Sequence, residues 1–241
     1  MQSTDRPSVA RVFDAIVGGH DHYKADRVVL RQILAQAPEV LGMAQELRQW
    51  LIRTVRFLAD RVGIDQFLDL GYGFPASENL SQIVQRYNPG ANVVYADDIA
   101  GYDLTQPYET LSAPELTTRL DLNRPIGLIM CAIIHHVDEL REAQDIVRAY
   151  VGQLAPGSYL ILAHQFDPAD GSETEPLQER FRGTGLDTLY RTREEILSFF
   201  DGMELVEPGL TYPHEWWPDG PRYTPLTNAN FTTLGGVARK L

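Results

Sequence analysis

The apolar residues of this chain follow two kinds of pattern, and their order predicts an α/β fold. Steps of three and four residues, typical of amphipathic helices, recur over Val9–Val17, Val28–Ala35 and Leu41–Ile64. Short continuous apolar runs, typical of buried parallel strands, follow from residue 67 onward. These runs are Phe67–Leu70, Ala91–Ala96, Ile126–Ile134 and Tyr159–Ala163, and helical stretches separate them.

The end of the chain and its beginning add two further expectations. Gly202–Val206 and Thr233–Arg239 are expected to close the sheet as an antiparallel pair. Residues 1–64 are expected to form a helical N-terminal extension, and residues 65–241 a Rossmann-like domain. The extension either packs on one face of the sheet or caps the ligand site.

The turn after the first strand carries a nucleotide-binding pattern. Gly71 and Gly73 separate the strand from the next helix, so the backbone turns sharply, a ligand can approach closely, and free helical N–H groups face it. The second strand ends at Asp97 and Asp98, where an acid can bind both hydroxyls of a ribose. The glycine spacing satisfies the dinucleotide pattern, whereas Asp69 suits the looser D-x-G-x-G turn for S-adenosylmethionine, so the turn alone leaves both cofactors open.

The segment that follows Asp98 is too short for a regular doubly wound fold. Four residues separate Asp98 from Asp103, which leaves no room for a helix and a third strand. The next stretch, Thr105–Leu120, is polar and interrupted by prolines, with a helix expected from Pro114. The third strand would lie at the edge of the sheet, so the core can form without it.

Histidines stand at the ends of the third and fourth apolar runs. His135 and His136 follow one run, and His164 follows the other. The carboxyl ends of parallel strands are where ligands bind, and a histidine near its ordinary pKa can act as a general base. The alternative is a helix N-terminus with one exposed and one packed histidine.

Charge and cysteine content narrow the function classes. The net charge of −12 argues against a nucleic-acid backbone or an anionic membrane as partner. The single cysteine, Cys131, lies in an apolar run and fits a reducing compartment, so we expect a cytoplasmic protein. The cluster from His20 to Tyr23 is interpreted as a solvated turn or a lid, and no metal site is expected.

Several of these segments resemble the actinobacterial S-adenosyl methyltransferase family once catalogued as the domain of unknown function DUF574. The resemblance covers nearly the whole chain. It rests on PSVARVFDAIVGGHDHYKADR (7–27), QFLDLGYGFPASENL (66–80), VVYADD (93–98), LDLNRPIGLIMCAIIHHV (120–137), LAPGSYLILAH (154–164), ELVEPG (204–209) and GGVARK (235–240). It implies a class I methyltransferase sheet, with S-adenosylmethionine as cofactor and S-adenosylhomocysteine as product.

The resemblance also assigns site residues. The cofactor-binding set is Asp69, Gly71, Tyr72, Gly73, Asp97, Asp98, Asp103 and Leu104. The glycine turn is expected to bind the amino-acid end of the cofactor. Asp97 is expected to bind the ribose, and Asp103 and Leu104 are expected to contact the adenine edge. For the cover of the pocket or substrate contact, the resemblance gives Asp14, Gly18, Gly19 and Tyr23, and the places of His20, His164 and Trp216 in the sequence add those three residues. The loop around Trp216 is expected to be a packed flap or an aromatic part of the substrate wall, which favours a fairly apolar acceptor.

The sequence therefore predicts a methyltransferase with His135 and His136 as candidate catalytic residues. We expect a small-molecule acceptor of secondary metabolism, and we keep a homodimer as the candidate assembly. Where Tyr72 and His136 stand, the family usually has threonine and an aromatic residue, so one alternative is a protein of this fold that catalyses another reaction, such as a cyclisation. An NAD-dependent reductase and a non-catalytic ligand-binding protein are the remaining alternatives.

Overall fold

The structure, a computed structural model, describes residues 7, 9–20, 22–71, 78–168, 189–221 and 225–241. Its helices are α1 Val9–Ile16, α2 Lys24–Gln36, α3 Val40–Arg56, α4 Leu80–Tyr87, α5 Pro107–Ser112, α6 Pro114–Thr117, α7 Leu140–Gln153 and α8 Arg193–Leu197. Its strands are β1 Gln66–Asp69, β2 Asn92–Tyr95, β3 Gly127–Cys131, β4 Tyr159–Gln165, β5 Met203–Leu205 and β6 Thr233–Lys240. A π-helical turn, Phe57–Val62, continues α3, and the 3₁₀ turn Ser198–Phe200 continues α8.

The strands form one sheet in the order β2-β1-β3-β4-β6-β5. The neighbouring strands β2, β1, β3 and β4 run parallel to one another, and β6 runs antiparallel to both β4 and β5. The predicted α/β architecture and the closing antiparallel pair are therefore confirmed.

The strands read as continuous apolar runs because helices cover both faces of the sheet. On one face, Phe67, Ile129 and Ile161 belong to a core that also contains residues of α1 to α4. On the other face, Leu68, Leu128 and Leu160 belong to a core with residues of α5 to α8. The first core contains residues from both sides of position 64. The division of the chain into an extension, 1–64, and a Rossmann-like domain, 65–241, stays a prediction.

The described part of the chain has no strand beyond β2 at its edge of the sheet, as the short segment after Asp98 predicted. The helix expected from Pro114 is confirmed as α6, and it differs from the expectation only in that a second short helix, α5, precedes it. Leu111 and Leu116, one from each helix, are buried in the second core. These leucines explain the difference, because they cover the sheet face that an additional crossover helix would otherwise cover.

The N-terminal helices extend to the carboxyl edge of the parallel strands. Trp50 of α3 lies over Gly235, where an added Cβ would approach the indole to 2.7 Å. Farther toward the start of α3, the Met43 sulfur lies 3.7 Å from the Thr232 hydroxyl, next to the carboxyl end of β4. The first turns of α3 therefore project beyond the sheet, and α1 packs against α2 and α3 there. No helix in the described ranges is both long and apolar enough to span a membrane.

Candidate active site

The glycine turn begins directly beside the end of β3. The Gly71 N–H donates to Asp69 Oδ1 at 2.9 Å, and the Asp69 side chain is buried. A Cβ at position 71 would lie 2.6 Å from the Cys131 carbonyl oxygen. Close approach of two backbones, rather than a left-handed φ, thus requires glycine at this position. Tyr72 and Gly73 lie outside the described residues.

The N-terminus of α4 does not present the free donors that the sequence pattern suggested. The Ser81 N–H donates to the Tyr95 hydroxyl at 3.0 Å, and the Gln82 N–H donates to Asn79 Oδ1 at 2.9 Å. Asn79 therefore acts as an N-cap, and a side chain of β2 takes the other donor. The expectation of free helical N–H groups is wrong for these two residues.

The two acids after β2 have different surroundings. Asp98 Oδ2 accepts a hydrogen bond from Arg119 Nη1 at 2.8 Å, and the same guanidinium donates to the Val93 carbonyl at 2.7 Å. Asp98 thus helps to fasten Arg119 to β2. Asp97 belongs to the 3₁₀ turn Ala96–Asp98, and its side chain lies outside the described part of the structure. Asp97 stays the candidate for the ribose hydroxyls.

The residues expected at the adenine edge form a turn, and a neighbouring tyrosine reaches the site. Asp103 Oδ1 accepts from the N–H and hydroxyl of Thr105 at 2.9 and 2.8 Å, and these hydrogen bonds lower the pKa of the exposed Asp103 carboxyl. Leu104 packs against the second core. The Tyr102 hydroxyl donates to the Leu70 carbonyl at 3.0 Å, directly before the glycine turn. Sequence reasoning missed Tyr102, although it is the one aromatic residue between Asp98 and Asp103.

The chain turns sharply after β3 and carries the paired histidines into a short 3₁₀ turn, Ile134–His136. Ala132, which precedes this turn, has a φ of 56°. His135 is 1% exposed, and neither of its ring nitrogens has a hydrogen-bond partner among the described residues. Burial, followed by the neighbouring His136, His164 and Arg191, lowers its pKa well below the ordinary value. The half-buried His136 ring lies 4.5 Å from that of His135, centroid to centroid.

A buried arginine fastens this histidine turn to β4. Arg191 Nη1 lies 2.9 Å from His164 Nε2, while its Nη2 donates to the Val137 carbonyl at 2.9 Å. Because a guanidinium only donates, Nε2 must accept, and the proton on His164 Nδ1 points to the Gln165 carbonyl at 2.7 Å. Burial lowers the pKa of His164 to about 3, so the ring is neutral at pH 7. His164 therefore holds Arg191, and no short sequence motif indicated this partnership.

The N-terminal segment expected to cover the pocket is held by a buried carboxylate. Asp14 Oδ2 lies 2.8 Å from His22 Nδ1, and a Cβ at Gly19 would overlap Asp14 Oδ1 at 1.7 Å. Glycine at position 19 thus lets the chain cross directly over the Asp14 carboxylate. His20 and Tyr23 are exposed, and the Tyr23 backbone N–H donates to the buried Asp26 at 2.8 Å. The role of His22 was missed, because its partner lies eight residues away on α1.

Trp216 is completely buried against α3, where it has no exposed face to offer a substrate. Arg53 Nε donates to the Trp216 carbonyl at 3.0 Å, and the indole meets the Phe57 ring at a centroid distance of 6.1 Å. The same guanidinium donates to the Pro213 carbonyl at 2.6 Å. These contacts attach residues 213–216 to α3.

Two cavities lie at opposite edges of the sheet. One, of about 610 Å³, lies beside the first half of α3 and is lined by Val17, Pro38, Glu39, Leu41, Gly42, Gln45, Glu46, Arg48, Gln49, Pro225, Thr227 and Asn230. The other, of about 520 Å³, lies at the amino ends of β1 and β2 and includes the LDLNRP segment. There the Gln66 amide is paired with the backbone of Asp121, which explains that segment as a structural turn.

The sheet order defines a Rossmann-like protein, a fold in which ligands bind at the carboxyl edge of the parallel strands. A family model described as S-adenosyl methyltransferase matches residues 2–100 and 98–241. The chain therefore belongs to the S-adenosyl methyltransferase family, whose cofactor is S-adenosylmethionine, and both the family and the fold support an enzyme of that class.

Two solved structures are similar over almost their full length. A DUF574 family protein from Streptomyces avermitilis MA-4680 is 33% identical, with a TM-score of 0.87 over 99% of each chain. A protein of Thermobifida fusca YX, solved as a candidate methyltransferase, is also 33% identical with a TM-score of 0.87, over 98% of this chain and 96% of its own. No curated protein matched the sequence. These similarities confirm the predicted family and fold.

Proposed function

We propose that this chain transfers a methyl group from S-adenosylmethionine to a hydroxyl group of a small polar molecule. The observation that carries the proposal is the position of the histidine turn. It follows β3 directly, and the Cys131 carbonyl at the end of β3 contacts Gly71 of the glycine turn. A base on this turn would stand near the cofactor's expected position.

The residues present fit the cofactor that the family uses. At Gly71 the Cys131 carbonyl leaves no room for a side chain, so the start of the turn packs directly against the end of β3. Asp69 orients the Gly71 N–H, and Tyr102 fixes the carbonyl of Leu70 on the other side. Asp97 is proposed to bind the ribose, because Asp98 is engaged with Arg119.

His136 is the better of the two catalytic candidates. Its ring is half-buried and so keeps access to a substrate, whereas His135 is enclosed behind it. The low pKa of His135 also makes that ring a poor proton acceptor at pH 7. We therefore assign proton removal from the acceptor hydroxyl to a ring nitrogen of His136. His135, His164 and Arg191 position the turn.

When bound, S-adenosylmethionine supplies an electrophilic methyl group on its sulfonium. The protein then has to align the acceptor oxygen with that methyl group and exclude water. The Asp14–His22 pair fixes the N-terminal segment that is proposed to cover the pocket. Arg191 fixes the distance between the ends of β3 and β4, so that His136 meets the acceptor in a constant geometry.

The cavity beside α3 supports a polar acceptor. Its lining combines two glutamines, two glutamates, one arginine and one asparagine with a few aliphatic residues. The aromatic wall expected around Trp216 gives no support to an apolar acceptor, because that indole is packed against α3. A role in secondary metabolism and a cytoplasmic location belong to the same proposal, and the buried free thiol of Cys131 fits the reducing compartment.

The proposal is tested in two stages. Calorimetric titration with S-adenosylmethionine and S-adenosylhomocysteine should first show binding of both. Transfer of a labelled methyl group is then followed across a panel of small hydroxylated acceptors. Binding of neither S-adenosylmethionine nor S-adenosylhomocysteine would contradict cofactor use. Binding without transfer to any acceptor in the panel would contradict the proposed substrate class.

His136→Gln tests the assignment of the base. We expect the rate of methyl transfer to fall by roughly 10²- to 10⁴-fold, with little change in S-adenosylhomocysteine binding, because only proton removal is lost. His214→Gln is the control, since His214 stacks on Tyr212 in the segment attached to α3. A His136→Gln enzyme with the wild-type rate and pH profile would rule out His136 as the base.

A further inference from the structure

Arg48 connects the N-terminal helices to the segment that follows the glycine turn. It lies on α3, and its Nη2 donates to the Glu78 carbonyl at 2.8 Å across 30 residues of sequence. Glu78 stands two residues before the first residue of α4. Arg48 also lines the cavity of about 610 Å³ beside α3. One side chain therefore contacts the residue Glu78, which follows the expected cofactor turn in sequence, and also lines the proposed acceptor cavity.

The guanidinium of Arg48 has hydrogen-bonding capacity that the described residues do not use. Its Nε is buried and has no partner among them, and the bond to Glu78 is its one hydrogen bond there. An arginine carries five N–H donors in a planar fork that matches a carboxylate. Burial lowers its pKa, while Glu78 acts in the opposite direction. A buried N–H donor without an acceptor raises the free energy of the folded protein, and a bound ligand that accepts its hydrogen bond removes this cost.

The charges around Arg48 leave it available to an anionic ligand. The Glu78 carboxylate is in an ion pair with Arg86, and Glu46 lies 3.4 Å from Arg53. The first-turn N–H groups of α4, on Ser81 and Gln82, are already bonded to side chains. Those two helical donors are therefore not available to an anion, and a cationic side chain can take their place.

We propose that Arg48 binds the carboxylate of the amino-acid end of S-adenosylmethionine. The inference rests on the cofactor binding proposed above and adds a binding residue that sequence analysis did not assign. Arg48 borders Glu78 from the side of α3, and the cofactor's amino-acid end is expected at the turn that precedes Glu78. A salt bridge there would also tie cofactor binding to the position of the N-terminal helices.

The test compares two ligands that differ at the amino-acid end. S-adenosylhomocysteine carries the carboxylate, whereas 5′-methylthioadenosine lacks the whole amino-acid end. In calorimetric titrations, Arg48→Met should weaken S-adenosylhomocysteine binding at least tenfold and leave 5′-methylthioadenosine binding within twofold. Arg48→Lys, which keeps the charge but loses the fork, should fall between wild type and Arg48→Met. Arg86→Met is the matched control, because Arg86 is exposed and pairs with the Glu78 side chain, and it should bind both ligands like wild type.

Each other result overturns the inference in a recognisable way. If Arg48→Met binds S-adenosylhomocysteine within twofold of wild type, Arg48 does not hold the carboxylate. If it weakens both ligands equally, Arg48 acts through the fold rather than through the amino-acid end. If the wild-type protein binds neither ligand, cofactor binding itself is refuted, and the inference about Arg48 is refuted with it.

Discussion

The two buried histidines predict a specific loss of stability in mild acid. His135 and His164 are enclosed and neutral in the folded protein, and burial depresses the pKa of each, to about 3 for His164. In the unfolded chain both rings take up a proton as the pH falls below 6.5. The unfolded state then binds more protons than the folded state, so the free energy of unfolding decreases from pH 6.5 downward.

The size of this effect follows from the difference in bound protons. Between pH 7.5 and 5.5, each ring that stays neutral when folded lowers the free energy of unfolding by about 1.4 kcal/mol. The two rings together should cost about 2.7 kcal/mol by the same linkage. Above about pH 7.5 their contribution to the pH dependence disappears, because the rings are then neutral in both states.

Urea denaturation at pH 7.5 and 5.5, for wild type, His135→Phe and His135→Asn, checks this prediction. His135 makes no side-chain hydrogen bond within the described residues, so neither substitution removes one. The two variants should differ in absolute stability, because the side chains differ in size and polarity. Both should nevertheless lose about 1.4 kcal/mol less than wild type between the two pH values. If all three proteins lose the same amount, His135 is not held neutral by burial.

Two further predictions concern the glycine turn and the acids after β2. Gly71→Ala should destabilise the protein by about 1–3 kcal/mol in urea denaturation, because its Cβ would lie 2.6 Å from the Cys131 carbonyl oxygen. Gly152→Ala, with open space around it in α7, should be neutral or stabilising, and equal effects of the two changes would contradict the role given to Gly71. Asp97→Ala should weaken S-adenosylhomocysteine binding by roughly 1.5–3 kcal/mol in calorimetry, whereas Asp98→Ala should leave it nearly unchanged. A loss confined to Asp98→Ala would reverse the assignment of the ribose ligand.

The sequence by itself determined the fold and the cofactor class. Continuous apolar runs located β1 to β4, since strands buried on both faces need no polar positions. Four residues between Asp98 and Asp103 were enough to exclude an edge strand. The glycine turn and the family motifs indicated S-adenosylmethionine. Each of these features lies within one helix, strand or turn, so the residues that form it are close together in the sequence.

The tertiary structure decided what individual polar residues do. Arg191 reaches the turn after β3 across 54 residues, and Arg53 reaches Trp216 across 163. Asp98 and Asp97 are adjacent acids in the sequence, and only the folded chain shows that Arg119 engages Asp98. The tertiary structure also made the two adjacent histidines different, with His135 buried and His136 half-buried, because burial depends on which elements pack around the turn. Such partnerships join distant segments through packing, so no local pattern in the sequence records them.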